Sequence, residues 1–144
     1  KACIPMKILV IDGQGGRMGK SIIEQLKKSC QEPYPFELYG IGTNSNATLA
    51  MMKAGADYGA TGENPVIVNS RDADMIIGPV GIVIANSLLG EITPAIATAI
   101  GASPAYKILI PINRCNHMIV GCKEAPLSEY LQQVCQIVLR EIRA

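Results

Sequence analysis

The chain has no tryptophan and a single phenylalanine, Phe36, beside five tyrosines. A core drawn from this composition must be Ile, Leu, Val, Ala and Met, as in a parallel sheet covered on both faces. Neither charge is in excess: 13 Lys and Arg stand against 12 Asp and Glu, dispersed along the sequence. That balance argues against the basic stripe of a nucleic-acid binder and against a patch for anionic membranes. There is no long apolar run either. The longest, residues 75–85, is interrupted by Gly78-Pro79 and falls short of the ~20 residues a membrane span needs. The five cysteines, Cys3, Cys30, Cys115, Cys122 and Cys135, are odd in number and widely spaced, with no signal-peptide pattern ahead of them. They read as reduced thiols of a cytoplasmic protein. The length, 144 residues, suits one domain over residues 6–144, burying roughly two-thirds of its chain surface. Residues 1–5, ahead of Met6, read as a loose tail or an expression remnant.

What is present is organised around residues 6–21. An apolar run, Met6-Lys7-Ile8-Leu9-Val10-Ile11, leads into Asp12-Gly13-Gln14-Gly15-Gly16-Arg17-Met18-Gly19, and helix-like sequence follows from Lys20. A strand, a glycine turn and a helix in that order set backbone N–H groups at a helix N-terminus, where they attract an anion. Downstream, the patterns predict strands at 7–11, 36–41, 74–77 and 107–110, with a very short strand inside 56–62. Helices are predicted at 16–29, 47–54, about 93–100 and from Pro126 onward. The last helix carries an apolar face of Leu127, Tyr130, Leu131, Val134, Val138 and Ile142. Within residues 63–71, Val66, Ile67 and Val68 are β-branched and look like a strand by composition. Parallel neighbouring strands nevertheless need a crossover of a dozen or more residues, so either Val66 to Asn69 turns back antiparallel or Glu63 to Arg71 is a short helix. The helix is preferred on topology, with Thr61 as its cap and Pro65 in its first turn. Residues 82–89 are apolar nearly all round, so a helix there would be buried on most sides, or would serve a homo-oligomer interface. His117 to Gly121 is expected to return as a last, antiparallel strand.

Alternating strands and helices predict an α/β fold, a Rossmann-like and mostly parallel sheet flanked by helices. Ligands of such sheets bind beyond the carboxyl ends of the strands. Four uncommon turns fall on that edge: Gly13 to Gly19, Gly42 to Asn46, Gly78 to Gly81, and Asn113 to His117. The first is a G-x-G-G-x-x-G variant of the dinucleotide fingerprint. In this reading Gly13 permits the turn, Gly15 lets the backbone approach a pyrophosphate, and Gly19 allows close helix packing. The same residues can be read as a P-loop because Gly19-Lys20-Ser21 supplies its ending. That pattern wants glycine where Gln14 stands, and no clear metal-binding Asp ends a strand other than Asp12.

The stretch from Val10 to Lys20 resembles the opening of the dihydrodipicolinate reductase cofactor domain, whose Gly-Ala-x-Gly-Arg-Met-Gly loop maps onto Gly13 to Gly19, with Gln14 in place of a small residue. The resemblance implies NAD(P)H binding there, with Arg17 near the adenosine end. It gives no support to that family's reaction, because its His-His and Lys-x-Asp-x-Pro-Ser-Gly-Thr signatures are absent, as is room for its substrate domain. Over its whole length the chain is similar to a small bacterial family of unknown function. Its members share the Asp-Gly-Gln-Gly-Gly, Gly-Thr-Asn, Ala-Thr-Gly-Glu-Asn, Gly-Glu-Ile-Thr-Pro and Asn-Arg-Cys-Asn stretches.

NAD sites usually place an acid at the end of the second strand, about 20 residues past the glycine loop. Here Thr43, Asn44 and Ser45 stand instead. With Arg17 this leans toward a 2′-phosphate, hence NADP over NAD, although helix capping by Asn44 or Ser45 explains those residues equally well. Asp12 beside a phosphate site would repel it, hold magnesium, or simply bond loop amides. Gly78, Pro79 and Gly81 would line the rest of the cofactor site. For chemistry the candidates are Arg114 as an anion clamp, Cys115 as a nucleophile and His117 as a proton carrier. The Cys115, His117 and Cys122 spacing matches no usual zinc pattern, so no metal is expected. Glu91, alone in apolar sequence, is either a helix-cap acid or a functional carboxylate. Two functions follow: a small NAD(P)-dependent reductase of unknown substrate, or a non-catalytic module that senses a nucleotide or binds a partner.

Overall fold

The computed structural model describes residues 4–112 and 116–143. Five strands form one sheet: β1 (Met6–Asp12), β2 (Phe36–Gly42), β3 (Tyr58–Thr61), β4 (Met75–Pro79) and β5 (Tyr106–Ile110). Every neighbouring pair is parallel, in the order β3-β2-β1-β4-β5. The helices between them are α1 (Arg17–Ser29), α2 (Ser45–Ala54), α3 (Glu63–Asn69) and α4 (Pro94–Ala102), with α5 (Leu127–Arg143) closing the chain.

Strand β1 is central and explains why its sequence is apolar without alternation. Ile8 and Val10 enter a core with Ile22, Ile23, Leu26, Tyr130, Val134 and Val138 from α1 and α5. Leu9 and Ile11 enter a second core with Val66, Ile96, Ala97 and Ile100 from α3 and α4. Both faces are therefore dry along residues 8–11, and each of these four residues needs an apolar side chain. The 63–71 segment is helical, as crossover geometry requires, despite its β-branched composition. Its N-terminus is Gly62, with no side-chain cap, so Thr61 does not cap it and belongs to β3. Asn44 and Thr93 do cap α2 and α4, accepting from the amides of Ala47 and Ile96.

Two expectations are corrected. Residues 117–121 form no strand, and every sheet pairing among the described residues is parallel. Asn116 and Gly121 have φ of 66° and 82°, and Met118 and Val120 are exposed. A left-handed residue at each end turns this segment away from extended pairing. The apolar stretch at 82–89 holds no α-helix: a 3₁₀ turn (Val80–Val83) gives way to a compact loop. Ile82 and Leu88 are buried within the chain, leaving Leu89 exposed at the tip. Its hydrophobicity thus serves mostly the second core. Among the described residues no helix is long and apolar enough to cross a membrane.

The strand order reverses at β1, because successive crossovers build outward to β3 and then return to place β4 on the other side. A switch point of this kind opens a crevice beyond the carboxyl ends of β1 and β4. Gly78 lets the two strands approach there, since a Cβ would lie 2.5 Å from the Ile11 carbonyl oxygen.

Candidate functional site

The β1–α1 turn is shaped from below by Asp12. This nearly buried side chain accepts from the Gly13 amide through Oδ1 at 2.8 Å and from the Gly19 amide through Oδ2 at 2.7 Å. Burial pushes its carboxyl above the ordinary value; the amides of Gly19, Gly13 and Met18 pull the other way, and the charge of Glu91 adds to the rise. With both oxygens engaged by the loop, Asp12 is a structural residue of the turn. Gln14 takes a left-handed φ of 50° and Gly16 one of 72°, and the Gly16 amide closes onto the Gly13 carbonyl at 2.9 Å.

Gly13 is required for a reason other than backbone freedom. A Cβ there would lie 2.7 Å from Thr43 Oγ1 and 3.1 Å from Glu91 Oε1. Those two groups meet directly over it. Gly19 faces Met51 of α2 and the Asp12 side chain, which fits the expected helix packing. At Gly15 a Cβ would meet nothing within 4 Å.

Glu91 belongs to the β4–α4 connection and reaches across the crevice. Its Oε1 accepts from the Gln14 amide at 2.9 Å, Thr43 Oγ1 at 2.6 Å and Asn44 Nδ2 at 2.8 Å. It is not the cap of α4, a task Thr93 performs. Asn44 both caps α2 and donates to the Gln14 carbonyl at 2.9 Å, so the ends of β1 and β2 are tied together. Burial, the largest single influence, pushes the Glu91 carboxyl up, but the bonds from Thr43, Gln14 and Asn44 outweigh it and hold the group below its ordinary 4.5. Folding thus favours its charged form. Its stabilising contribution is present above that ordinary value and is lost as pH falls through the lower, folded one. Glu91→Gln is expected to be about 1 kcal/mol less stable at neutral pH. The deficit should shrink as the pH falls below 4.5, the ordinary value, as urea midpoints of the two proteins across that range would show.

The loop that presents Glu91 is tightly bonded to itself. Asn86 donates its amide to the Ile92 carbonyl at 2.7 Å, Ile92 returns one to Ser87 at 3.2 Å, and Ser87 Oγ donates to the Gly81 carbonyl. Asn86, Leu88 and Leu89 have φ of 66°, 54° and 56°. Left-handed backbone is costly for leucine, so this turn is held by its surroundings.

Between these parts lies a cavity of about 410 Å³, lined by Asp12, Gly13, Gln14, Gly15, Gly16, Arg17 and Leu88. Of the loop amides, Gly13 and Gly19 serve Asp12, and Gln14 serves Glu91. Among the described residues those of Gly15 and Arg17 donate no hydrogen bond. The donors of the turn that remain unengaged are thereby narrowed, among the described residues, to these two amides, beside the exposed Arg17 side chain. Met18 is buried in the core beneath the turn. Thr43 and Asn44 border the site through Glu91, whereas Ser45 is an exposed first residue of α2. Gly78, Pro79 and Gly81 sit at the neighbouring strand end and do not line the cavity. Leu88 does, and its position 71–76 residues away from the other lining residues in sequence left no local signal. His117 is exposed beyond β5. Arg114 and Cys115, with Asn113, lie outside the described residues. The three described cysteines, Cys30, Cys122 and Cys135, are free.

The chain's amino-acid pattern assigns it more directly than the cavity does. It belongs to the family described as a domain of unknown function, DUF3842. The match runs over residues 7–143, nearly the whole chain. No curated protein and no solved structure matches it. Membership agrees with the expected small family of unknown function and leaves the ligand to be argued from the site.

Proposed function

We propose that this DUF3842 member binds an NAD(P)-type dinucleotide at the Gly13–Gly19 turn. One observation carries the reading: the cavity of about 410 Å³ at the strand-order switch, where the Gly15 and Arg17 amides are unengaged and Gly15 stands beside open space. Helix N-termini at such switch points receive phosphates, because the amides and the helix dipole both favour negative charge. In this reading the pyrophosphate lies against Gly15 and Arg17. One nucleoside extends toward Thr43 and Asn44, and the other toward Gly78, Pro79 and Gly81. As a small reductase the chain would leave hydride chemistry to the cofactor and supply orientation and charge, with Arg114, Cys115 and His117 as the groups to test. The free described cysteines support a reducing, cytoplasmic setting.

A second reading, a non-catalytic nucleotide-sensing module, is favoured by the cavity's lining. Among the described residues it contains no His, Cys, Lys or Tyr, and its one acid, Asp12, has both oxygens engaged.

Thermal-shift measurements with NAD, NADH, NADP, NADPH, ATP and GTP test the proposal. A dinucleotide is expected to stabilise the fold by about 2.7 kcal/mol at a hundred times its Kd. Gly15→Glu should abolish that shift and leave the unliganded melting point unchanged, since its side chain projects into open space. No shift with any dinucleotide, or a shift with ATP or GTP only when magnesium is present, would reject it. Turnover of bound NAD(P)H with carbonyl or imine substrates separates enzyme from sensor.

A further inference from the structure

We infer that Glu91 is the carboxylate that holds the adenosine-ribose hydroxyls of the dinucleotide, so that this site selects NAD(H) over NADP(H). The inference rests on the dinucleotide reading above and goes beyond it by naming which cofactor fits. Dinucleotide-binding sheets read that ribose with an acid at the end of the second strand. The end of β2 here offers Thr43, Asn44 and Ser45, with no acid. Taken alone, that absence together with Arg17 points to a 2′-phosphate. The fold fills it from elsewhere. Glu91, 48 residues past Thr43 in sequence, places Oε1 2.6 Å from Thr43 Oγ1 and 2.8 Å from Asn44 Nδ2. The same oxygen lies 2.9 Å from the Gln14 amide, so the carboxylate stands where the β2 end meets the glycine turn.

The division of labour between its two oxygens suits a diol. Oε1 takes all three protein donors, while Oε2 accepts no hydrogen bond among the described residues. A ribose cis-diol is a donor pair and an ionised carboxylate is an acceptor only. A 2′-phosphate brings two further negative charges to the same place, which disfavours it. Among the described residues no cation pairs with Glu91: the ion pairs there are Lys7 with Asp72 and Arg140 with Glu141. Arg17, lining the cavity at the first position of α1, is left to serve the pyrophosphate. Two features hold the carboxylate in place. The self-bonded loop of residues 86–92 fixes its backbone, and Gly13, lacking a Cβ, gives Thr43 and Glu91 room to meet.

The test is calorimetric titration of the wild-type chain with NADH, NADPH, 5′-ADP and 2′,5′-ADP. NADH is expected to bind at least about tenfold tighter than NADPH, and 5′-ADP tighter than 2′,5′-ADP, a difference of about 1.4 kcal/mol. Glu91→Gln, which keeps the side chain's shape and removes its charge, is expected to weaken NADH, strengthen NADPH and bring the ratio near one. Equal affinities, or a preference for NADPH, in the wild-type protein would overturn the inference without needing the variant. So would an unchanged ratio in a folded Glu91→Gln. Binding of none of the four ligands would instead overturn the dinucleotide reading itself, and the inference with it.

Discussion

Gly16→Ala is expected to cost about 2–4 kcal/mol of folding stability, whereas Gly15→Ala, one residue earlier, should change it by less than about 0.5 kcal/mol. Gly16 has φ of 72°, and an added Cβ would lie 2.7 Å from the Ala47 Cα and 3.0 Å from its carbonyl oxygen. That neighbour is backbone in the first turn of α2, and its amide is already held by Asn44. It cannot rotate out of the way as a side chain could. The methyl group therefore forces α1 and α2 apart while also imposing a left-handed conformation on alanine. Gly15 has neither problem, since nothing lies within 4 Å of its Cβ direction. Urea unfolding of the two variants measures the contrast. Similar midpoints for both would mean that the two helices do not meet at Gly16.

Asp12→Ala has the second large expected effect, about 2–5 kcal/mol, because two buried amide donors lose their acceptors at roughly 1–3 kcal/mol each. Gly13 and Gly19 lie six residues apart on the two sides of the turn, and the carboxylate is what joins them. Asparagine has one acceptor oxygen where aspartate has two. Asp12→Asn should therefore recover less than half of the loss, its amide group facing one of the two N–H groups donor to donor. Both variants should weaken nucleotide binding as well, through the shape of the turn. That outcome differs from Gly15→Glu, which should lose binding alone. Denaturation and ligand titration on the same samples separate the two patterns. An Asp12→Ala chain as stable as wild type would show that the turn holds its shape without the carboxylate.

The expected strands and helices that formed were those whose signal lies within a few residues. The apolar run of β1, the helical spacing of Met18, Ile22, Ile23 and Leu26, and the Thr93-Pro94 start of α4 each encode their own element. The α3 segment needed a topological rule, because β-branched residues favour a strand and only the crossover between parallel neighbours demands a helix. The failures share a cause. Apolar composition at residues 80–92 says that side chains will be buried, but not by what. Ile82, Leu88 and Ile92 are covered by a core built from β1, α3 and α4, which leaves the backbone free to follow a compact, partly left-handed loop. The expected last strand at residues 117–121 likewise had strand-like residues, yet it does not pair with the edge strand β5, because the left-handed Asn116 and Gly121 turn it away from extended pairing.

By itself the sequence determined an α/β protein with a glycine turn between its first strand and first helix, because hydrophobic spacing and turn chemistry act between near neighbours. The tertiary structure decided which donors of that turn remain for a ligand. Asp12 takes two of them, and Glu91, 77 residues from Gln14, takes a third. No local pattern carries a hydrogen bond across that separation. It exists because the strand order reverses at β1 and sets the β4–α4 loop against the ends of β1 and β2.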